Sequence, residues 1–431
     1  MPRRLCQGLV CAIVLVAAVT FTGFTGCDFL SAAKAASPLP TEAGVVAVIQ
    51  DRGGSVDYDS RGHVTKVDLG ECPTTNADLE VIAGLTNLKS LEIWGAEITD
   101  GGMESLAKLV GLETLVLENT DVTDTGALVL AKLPSLKVLN LRRSSNLSDA
   151  SLVCVAQIKG LEQLVLLYNN FTDAGLAHLE PLTKLRVLDL RGCALIGDAG
   201  LEHVARIKSL ERVKLRCPSV TDQGLASVAM LAKLRGFAVE DANISDAGLT
   251  PFAAKTEIDE INVMRTFIGD KGLVALGNLK KLKRLELRGT LVGDAGLEPV
   301  GLLPNLLLLD LAETGIGDAG LAHLAGLQKL AELDLWDTRV SDKGMKAVGK
   351  LSSLAKLNLQ NTVVSDAGVA DLGGLAKLSV LNVSGTKITD AALDSIAKMP
   401  TLRTLVISFT EISEPAIAAF QQTRPDVKVN R

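Results

Sequence analysis

Hydrophobic and polar residues follow one another in a pattern that returns about every 24 residues along most of this chain. In residues 294–318, apolar residues first recur at every third position from Leu297, which predicts one buried face of a short helix. Leu309 and Leu311 then flank Asp310, and this alternation predicts a short strand with its leucines inward and its carboxylate outward. Each repeat is therefore predicted to contain one strand, one turn, one short helix and one return segment.

An element of the form X-Asp-Ala-Gly-Leu, in which X is Thr, Ser or Gly, opens the helical part of a typical repeat. Its aspartates are Asp100, Asp124, Asp149, Asp173, Asp198, Asp222, Asp246, Asp270, Asp294, Asp318, Asp342, Asp366 and Asp390. Asn76 and Glu414 hold the same place at the two ends, which gives about 15 units of about 24–25 residues. Such self-similarity predicts a solenoid, in which each unit buries its apolar face against its neighbours. We predict that each aspartate caps the helix that it begins, by accepting from N–H groups of that helix's own first turn.

The repeat resembles that of the leucine-rich repeat family over residues 64–414. Three residues after the second inward leucine, most units carry a threonine such as Thr290, whereas Asn169 and Cys193 are residues that the family uses at this turn position. Residues 188–198 are similar to the cysteine-containing repeats of F-box proteins. The resemblance implies an α/β fold, a right-handed horseshoe solenoid with a concave parallel sheet and short convex helices. Because the family serves many roles, the resemblance implies binding and no particular partner.

The array is predicted to be capped at both ends. Residues 41–63 are expected to form a helix and a hairpin, and residues 415–431 a last helix and strand. One unit departs from the pattern, because Pro251 enters its helix and Lys255 replaces a core leucine. We expect the missing apolar contact to loosen this layer.

The first residues carry a targeting pattern. Arg3 and Arg4 precede an apolar stretch that is too short for a membrane span of ~20 residues, so residues 1–26 are predicted to be a signal peptide. The sequence ending at Cys27 resembles a bacterial lipobox, which implies that Cys27 is lipidated and that residues 27–40 form a lipid-anchored tether. We predict a membrane-anchored protein of the cell envelope, periplasmic or at the cell surface. Ordinary signal cleavage, which would release a secreted protein, is the alternative.

Composition narrows the classes of function. Hydrophobic residues make up 47% of the chain and aromatic residues 3%, which predicts an aliphatic core. The net charge is −6 and no basic stripe is present, so nucleic-acid binding is not expected. The sequence also shows no phosphate-binding loop and no arrangement of nucleophile and base. We predict that the protein is not an enzyme and takes no cofactor, metal or small-molecule substrate.

Four cysteines follow Cys27, and none belongs to a C-x-x-C pair, so no zinc site is predicted. They are Cys72, Cys154, Cys193 and Cys217. Buried free thiols are expected, and a disulfide between Cys193 and Cys217 stays open because an oxidising compartment would permit it.

The outward positions of the predicted strands vary from unit to unit, unlike the inward ones. Both tryptophans of the chain fall in one outward column, and exposed Trp and Arg are typical of binding hot spots. Arginines crowd the middle units and acidic residues the later ones, which predicts a bipolar face that suits a protein of complementary polarity. The predicted partner-binding residues are Trp94, Arg142, Arg191, Arg212, Lys214, Arg216, Met264, Arg288, Asp310, Asp334 and Trp336.

These patterns predict a non-catalytic recognition module that binds an unidentified protein through its concave sheet. Two alternatives stay open, a structural spacer of the envelope without a specific ligand and a surface protein that binds glycans. For the tryptophans themselves, the alternative is that each ring packs flat over neighbouring strands and has no partner.

Overall fold

The computed structural model describes residues 41–431, which form one 17-stranded sheet with short helices between successive strands. The first two strands pair antiparallel, and each later strand pairs parallel with the one before it. The strands are β1 (Ser55–Tyr58), β2 (Val64–Pro73), β3 (Ser90–Trp94), β4 (Thr114–Glu118), β5 (Val138–Asn140), β6 (Gln163–Val165), β7 (Val187–Arg191), β8 (Arg212–Arg216), β9 (Gly236–Val239), β10 (Glu260–Asn262), β11 (Arg284–Glu286), β12 (Leu308–Asp310), β13 (Glu332–Asp334), β14 (Lys356–Asn358), β15 (Val380–Asn382), β16 (Thr404–Val406) and β17 (Lys428–Asn430).

The helices are short, and each follows a strand of the array except α1, which precedes the sheet. They are α1 (Glu42–Asp51), α2 (Asn76–Ile82), α3 (Asp100–Leu106), α4 (Asp124–Ala127), α5 (Asp149–Val155), α6 (Asp173–Leu176), α7 (Asp198–Val204), α8 (Asp222–Ala229), α9 (Asp246–Leu249), α10 (Asp270–Leu273), α11 (Leu297–Val300), α12 (Asp318–Leu324), α13 (Asp342–Val348), α14 (Asp366–Asp371), α15 (Ala392–Ala397) and α16 (Glu414–Thr423). Segments of 3-10 helix lie at Leu128–Lys132, Ala177–Leu179, Thr250–Phe252, Val274–Leu276 and Asp294–Gly296.

The core runs without interruption along the array, as the periodic pattern predicts. Leu285 and Leu287 of one strand region and Leu297 of the helix behind it are fully buried, and equivalent residues line every layer. The turn threonines are buried too, and the hydroxyl of Thr290 donates to the carbonyl oxygen of Leu287 at 2.6 Å. These short polar side chains satisfy carbonyl groups that would otherwise be buried without a partner.

The aspartate of the X-Asp-Ala-Gly-Leu element does not cap its own helix, so that prediction is wrong. The N-cap is the Ser, Thr or Gly before it, and the aspartate is usually the first helical residue. Its carboxylate instead reaches the next unit. Asp342 accepts the N–H of Ser365 at 2.7 Å on Oδ1 and the hydroxyl of Ser365 at 2.7 Å on Oδ2. We call this pair of bonds the aspartate clasp.

The clasp recurs along the array with the same two bonds. It joins Asp100 to Thr123, Asp124 to Ser148, Asp149 to Thr172, Asp198 to Thr221, Asp222 to Ser245, Asp318 to Ser341, Asp366 to Thr389 and Asp390 to Ser413. Where X is Gly, only the N–H bond forms, as between Asp270 and Gly293. Each unit is thus tied to its neighbour outside the sheet as well as within it.

In most units the glycine of the same element is closely approached by the preceding aspartate. A Cβ atom built on Gly126 would lie 2.4 Å from Oδ1 of Asp100, and one built on Gly344 would lie 2.7 Å from Oδ1 of Asp318. At these positions a side chain would require a local shift, whereas the units that carry the small residues Ser151 and Ala392 at the same place still form the full clasp.

The core of the layer that contains Lys255 is filled by an aromatic pair. The rings of Phe237 and Phe252 stack with centroids 4.3 Å apart, and both side chains are buried. The Nζ of Lys255 donates to the carbonyl oxygen of Leu231 at 3.0 Å. The aromatic pair replaces the volume of the missing leucine, and the ammonium group takes up a backbone acceptor.

The two ends of the core are covered. Val45 and Ile49 of α1 are buried over the first layer, and Ile417 and Phe420 of α16 over the last. Of the helices within residues 41–431, none is both long and apolar enough to cross a membrane. The predicted signal peptide, Cys27 and the tether 27–40 lie outside the described residues.

We expect Asp342→Ala to lower the free energy of unfolding by about 2–4 kcal/mol, because it leaves the N–H groups of Ser365 and Gly368 without their charged acceptor. Urea denaturation would measure the loss. Asp371→Ala, at the exposed C-terminal end of α14, is the matched control and should cost less than about 0.5 kcal/mol. Equal losses in the two variants would contradict the role assigned to the clasp.

The same residue gives a pH dependence. Burial opposes ionisation of Asp342, but the hydrogen bonds from Ser365 and Gly368 outweigh it and lower the pKa. The contribution of a carboxyl whose folded pKa is lowered is present above its unfolded pKa, about 3.9, and is lost as the pH falls through the folded value. The difference between wild type and Asp342→Ala should therefore shrink only below about pH 4.

Candidate recognition surface on the strand face

The outward side chains of β2–β16 form a surface that we call the strand face. Each strand contributes its first, third and fifth positions, the fifth lying at or just past the end of the strand. Fifteen strands at ~4.8 Å spacing make this surface roughly 70 Å long. All eleven predicted partner-binding residues lie on it and are half-buried. Arg212 is a first-position residue, Lys214, Asp310 and Asp334 are third-position residues, and the other seven are in the fifth position.

The middle arginines of the strand face are paired with acidic side chains. Arg191 donates to both carboxylate oxygens of Asp189, at 3.0 and 2.8 Å, and this hydrogen bonding raises the pKa of Arg191. Arg216 lies 2.6 Å from the carboxylate of Asp241, which a hydrogen bond from Arg265 also holds at a lowered pKa.

Two further arginines are neutralised in the same way. Arg212 bonds Asp259 and Glu260 at 2.7 Å each, and Arg142 bonds Glu118. The charge segregation seen along the sequence is therefore largely cancelled by pairing between strands. Lys214 is the exception, since it forms no ion pair within the described part of the chain.

The aspartates in the third position accept hydrogen bonds from backbone N–H groups. Oδ1 of Asp310 accepts the N–H of Ala312 at 2.9 Å, and Oδ1 of Asp334 accepts the N–H of Trp336 at 2.9 Å. Asparagines in the same position do so elsewhere, as Asn358 does for Gln360. These bonds satisfy an N–H that points away from the sheet ladder where the strand ends.

The charges of these aspartates are not neutralised. Asp310 and Asp334 are direct neighbours in register, and neither forms an ion pair with the described residues. Burial raises the pKa of Asp310 to about 6, although the N–H of Ala312 opposes it, and the charges of Asp334 and Glu286 act in the same direction as burial. This part of the strand face carries negative charge that the fold does not require.

Trp336 is packed on one side by an arginine. The guanidinium of Arg288 lies 4.3 Å from the centroid of the indole ring and is held by Glu313, 2.8 Å from its Nε. Ala312 lies between Arg288 and Trp336 in the same column and is buried. The indole Nε1 is also buried, and no acceptor for it exists among residues 41–431. One tryptophan thus packs partly as the alternative interpretation expected, while its exposed part stays on the strand face.

Two aromatic residues next to the fifth-position column were not singled out from the sequence. Phe409 is 94% exposed, and Tyr168 is 47% exposed with the Arg143 guanidinium 5.5 Å from its ring. Both have positive φ angles, 56° each, at a turn where other units use residues such as Gly385. The signal available in the sequence is an aromatic residue immediately after the outward column, at a position that favours Gly or Asn.

The cysteines near the middle of the array are unpaired. Cys193 and Cys217 are free and buried, and their thiols donate to the carbonyl oxygens of Leu166 at 2.9 Å and Leu190 at 3.4 Å. Burial raises the pKa of Cys193 to about 11 and that of Cys217 to about 12. Thiols held in this state are structural donors and poor nucleophiles. Within residues 41–431, no group of three or more His, Cys, Asp or Glu side chains is placed to hold a metal ion.

A family model described as "Leucine Rich repeat" matches four segments, 84–107, 182–205, 303–325 and 374–397, each covering about one unit. The chain has the leucine-rich repeat fold. No curated protein matches it. Among solved structures, this leucine-rich repeat protein resembles an internalin of Listeria monocytogenes with 22% identity and a TM-score of 0.59, over 84% of this chain and 93% of that one. It also resembles a leucine-rich repeat protein of Leptospira interrogans with 16% identity and a TM-score of 0.51, over 84% and 95%. At these identities the likeness shows the fold.

We expect Asp310→Asn to stabilise this leucine-rich repeat protein at pH 7.5 by on the order of 1 kcal/mol, because Asn keeps the bond from Ala312 and removes an unpaired charge that solvent only partly screens. Since the folded pKa of Asp310 is raised to about 6, its ionisation destabilises the fold increasingly as the pH rises from about 4 to about 6, and the gain should be lost as the pH falls to about 4. Melting temperatures across pH 4–8 would measure it. Asp337→Asn, at an exposed neighbouring turn, is the control, and a gain that did not depend on pH would contradict the assignment.

Proposed function

We propose that this leucine-rich repeat protein is a non-catalytic recognition module that binds another protein through its strand face. The observation that carries the proposal is the contrast between inward and outward positions of the same strands. The inward ones are almost uniformly aliphatic and buried, whereas the outward ones change in size, charge and aromaticity from one strand to the next. The clasp does not involve these outward residues, and apart from the third-position bonds to the backbone the repeat sets no common residue there. A spacer would have no use for their variety.

The surface around Trp336 supports this function best. It combines a pre-positioned indole, an arginine stacked on it and two carboxylates, Asp310 and Asp334, that form no ion pair with residues 41–431. Aromatic and arginine side chains held in place by their neighbours lose little conformational entropy on binding, which makes them effective anchors. Trp94 and Lys214 offer further unpaired groups on the same face.

We infer that the protein works at the bacterial cell envelope, held by a lipid on Cys27. The support is the sequence of the leader, in which a signal-like stretch 1–26 ends at Cys27, and the short segment 27–40 that joins it to the array. Several acyl chains on one cysteine would anchor the protein firmly, because a single chain binds membranes only marginally.

Crosslinking and capture from membranes of the source organism tests strand-face recognition. We expect one protein to be recovered with the intact chain and lost with Trp94→Ala/Trp336→Ala, since truncating a hot-spot aromatic costs about 2 kcal/mol, roughly 30-fold in affinity. The control is Met230→Ala/Leu302→Ala, which removes two exposed apolar side chains from the helix side. The captured protein is then purified and its Kd measured against all three forms. Identical capture by all three forms would favour a spacer or a helix-side interface.

Replacing Cys27 tests the anchor. We expect Cys27→Ser to abolish incorporation of labelled fatty acid and to move the protein from the membrane fraction to the soluble fraction, because Ser cannot form the thioether. Cys72→Ser, inside the described array, is the control and should keep both the label and the membrane fraction. Unchanged fractionation of Cys27→Ser would contradict lipidation and favour another means of attachment.

A further inference from the structure

The aspartate clasps are not equally strong along the array. At four interfaces X is Gly, so the second bond, from a hydroxyl to Oδ2, is missing. These interfaces are Asp173–Gly197, Asp246–Gly269, Asp270–Gly293 and Asp294–Gly317. The last three follow one another directly and join the units that begin at β9, β10, β11 and β12. No other run of consecutive interfaces in the described array lacks the hydroxyl.

The turn positions change their bonding at the same place. In the preceding units, turn side chains cross to the neighbouring unit, as Asn169 does to the carbonyl oxygen of Leu141 and Cys193 does to that of Leu166. From Thr266 onward the hydroxyl bonds a carbonyl of its own unit, that of Val263 at 2.7 Å. Between β9 and β12 the units therefore lack both the hydroxyl bond of the clasp and the cross-unit bond of the turn side chain, and after β12 the full clasp returns.

On the strand face, this stretch is bridged by two arginines that reach past a strand. Arg212 of β8 bonds Glu260 of β10 at 2.7 Å, and Arg288 next to β11 stacks on Trp336 next to β13. Both contacts are partly exposed, so another molecule can replace them. The Arg288 contact crosses the interface that Asp294 and Gly317 hold with a single bond.

We propose that the units from β9 to β12 form a flexible seam in the array, and that Arg288, through its stack on Trp336 and its bond to Glu313, holds the strand-face side of this seam closed. In a solenoid most contacts of a unit are with its direct neighbours, so weak interfaces in series concentrate relative movement between the two flanking blocks. The link to binding rests on the proposed function. A partner that covers Trp336 displaces Arg288 and thereby changes the equilibrium of the seam.

Hydrogen exchange of the full-length protein, without any ligand, tests the seam. The N–H groups of Gly269, Gly293 and Gly317 donate to clasp aspartates, as do those of Ser365 and Thr389 in the full clasps. One absent hydrogen bond changes an opening equilibrium by roughly fivefold, so we expect the three glycine amides to exchange at least about five times faster than the other two. Equal protection after correction for intrinsic rates would overturn the seam.

Reciprocal variants separate local opening from global stability. A Cβ atom on Gly293 would lie 3.6 Å from the clasp carboxylate of Asp270, and one on Gly317 would lie 3.5 Å from that of Asp294, so serine fits at both positions. Gly269→Ser/Gly293→Ser/Gly317→Ser should slow exchange there at least fivefold and leave the amide of Thr389 unchanged. Ser365→Gly should create one new fast amide in the C-terminal block. Failure of both variants to move exchange at their own interfaces would overturn the proposal.

The role of Arg288 is tested in the same experiment. Arg288→Met should speed exchange of the Gly317 amide in the otherwise wild-type chain but not in the triple serine variant. In a Trp94→Phe background, which leaves Trp336 as the one tryptophan, Arg288→Met should also shift the fluorescence emission of Trp336. Arg142→Met, beside interfaces with full clasps, is the control and should leave Gly317 unchanged. No effect of Arg288→Met on Gly317 would remove the stack from the proposal. These exchange experiments use no partner, so equal exchange at all interfaces would contradict the seam without contradicting strand-face recognition. Conversely, if the tryptophan variant captures the partner as well as the intact chain does, recognition through the tryptophans is contradicted and the seam is not.

Discussion

The structure depends on one repeated interaction, a carboxylate that leaves its own helix and accepts donors from the next unit. At the first helical position the aspartate gains from the helix dipole, and its two oxygens take the N–H and the hydroxyl of the following loop. This bond dictates the composition of the X-Asp-Ala-Gly-Leu element. Ser or Thr supplies the second donor, and Gly leaves room for the carboxylate. In a solenoid nearly all contacts join nearest neighbours, so an interface weakened here is not rescued by distant parts of the fold.

The period, the alternation of the strands and the buried turn position could all be predicted, because each is a local regularity that recurs in every unit. The residue that donates its hydrogen bonds to the aspartate could not be predicted. An N-cap and a clasp use the same residue type at the same spacing, and they differ only in which donor lies closer, one in the first turn of the same helix or one in the loop of the next unit. The packing of the layer that contains Lys255 could not be predicted for a similar reason. Its compensation comes from Phe237 and Phe252, whose contact is visible only once two units are stacked.

For the strand face, the sequence predicts which side chains point outward but not which side chains of other strands they contact. Arginines and acids that look segregated along the chain lie side by side when successive units are laid next to one another, and some arginines reach past a strand. Asp310 and Asp334 show a further limit. Their outward position is predictable, whereas their bonds to the backbone are not, and these bonds separate the structural part of each residue from the charge that remains.

The clasp also makes the units compatible neighbours of one another, because an aspartate carboxylate accepts the N–H of the X residue at every interface from Asp100 to Asp390. Loss or duplication of one complete unit would therefore preserve the clasps between all other units. It would shift the strand-face side chains on one side of that unit by about 4.8 Å along the sheet. In the longer units the extra residue lies between the turn position and the aspartate, as between Cys193 and Asp198. It therefore replaces neither the turn residue nor the aspartate of the clasp. A gene that encodes such a chain can adjust the reach of its product in whole steps through recombination, without redesigning a core.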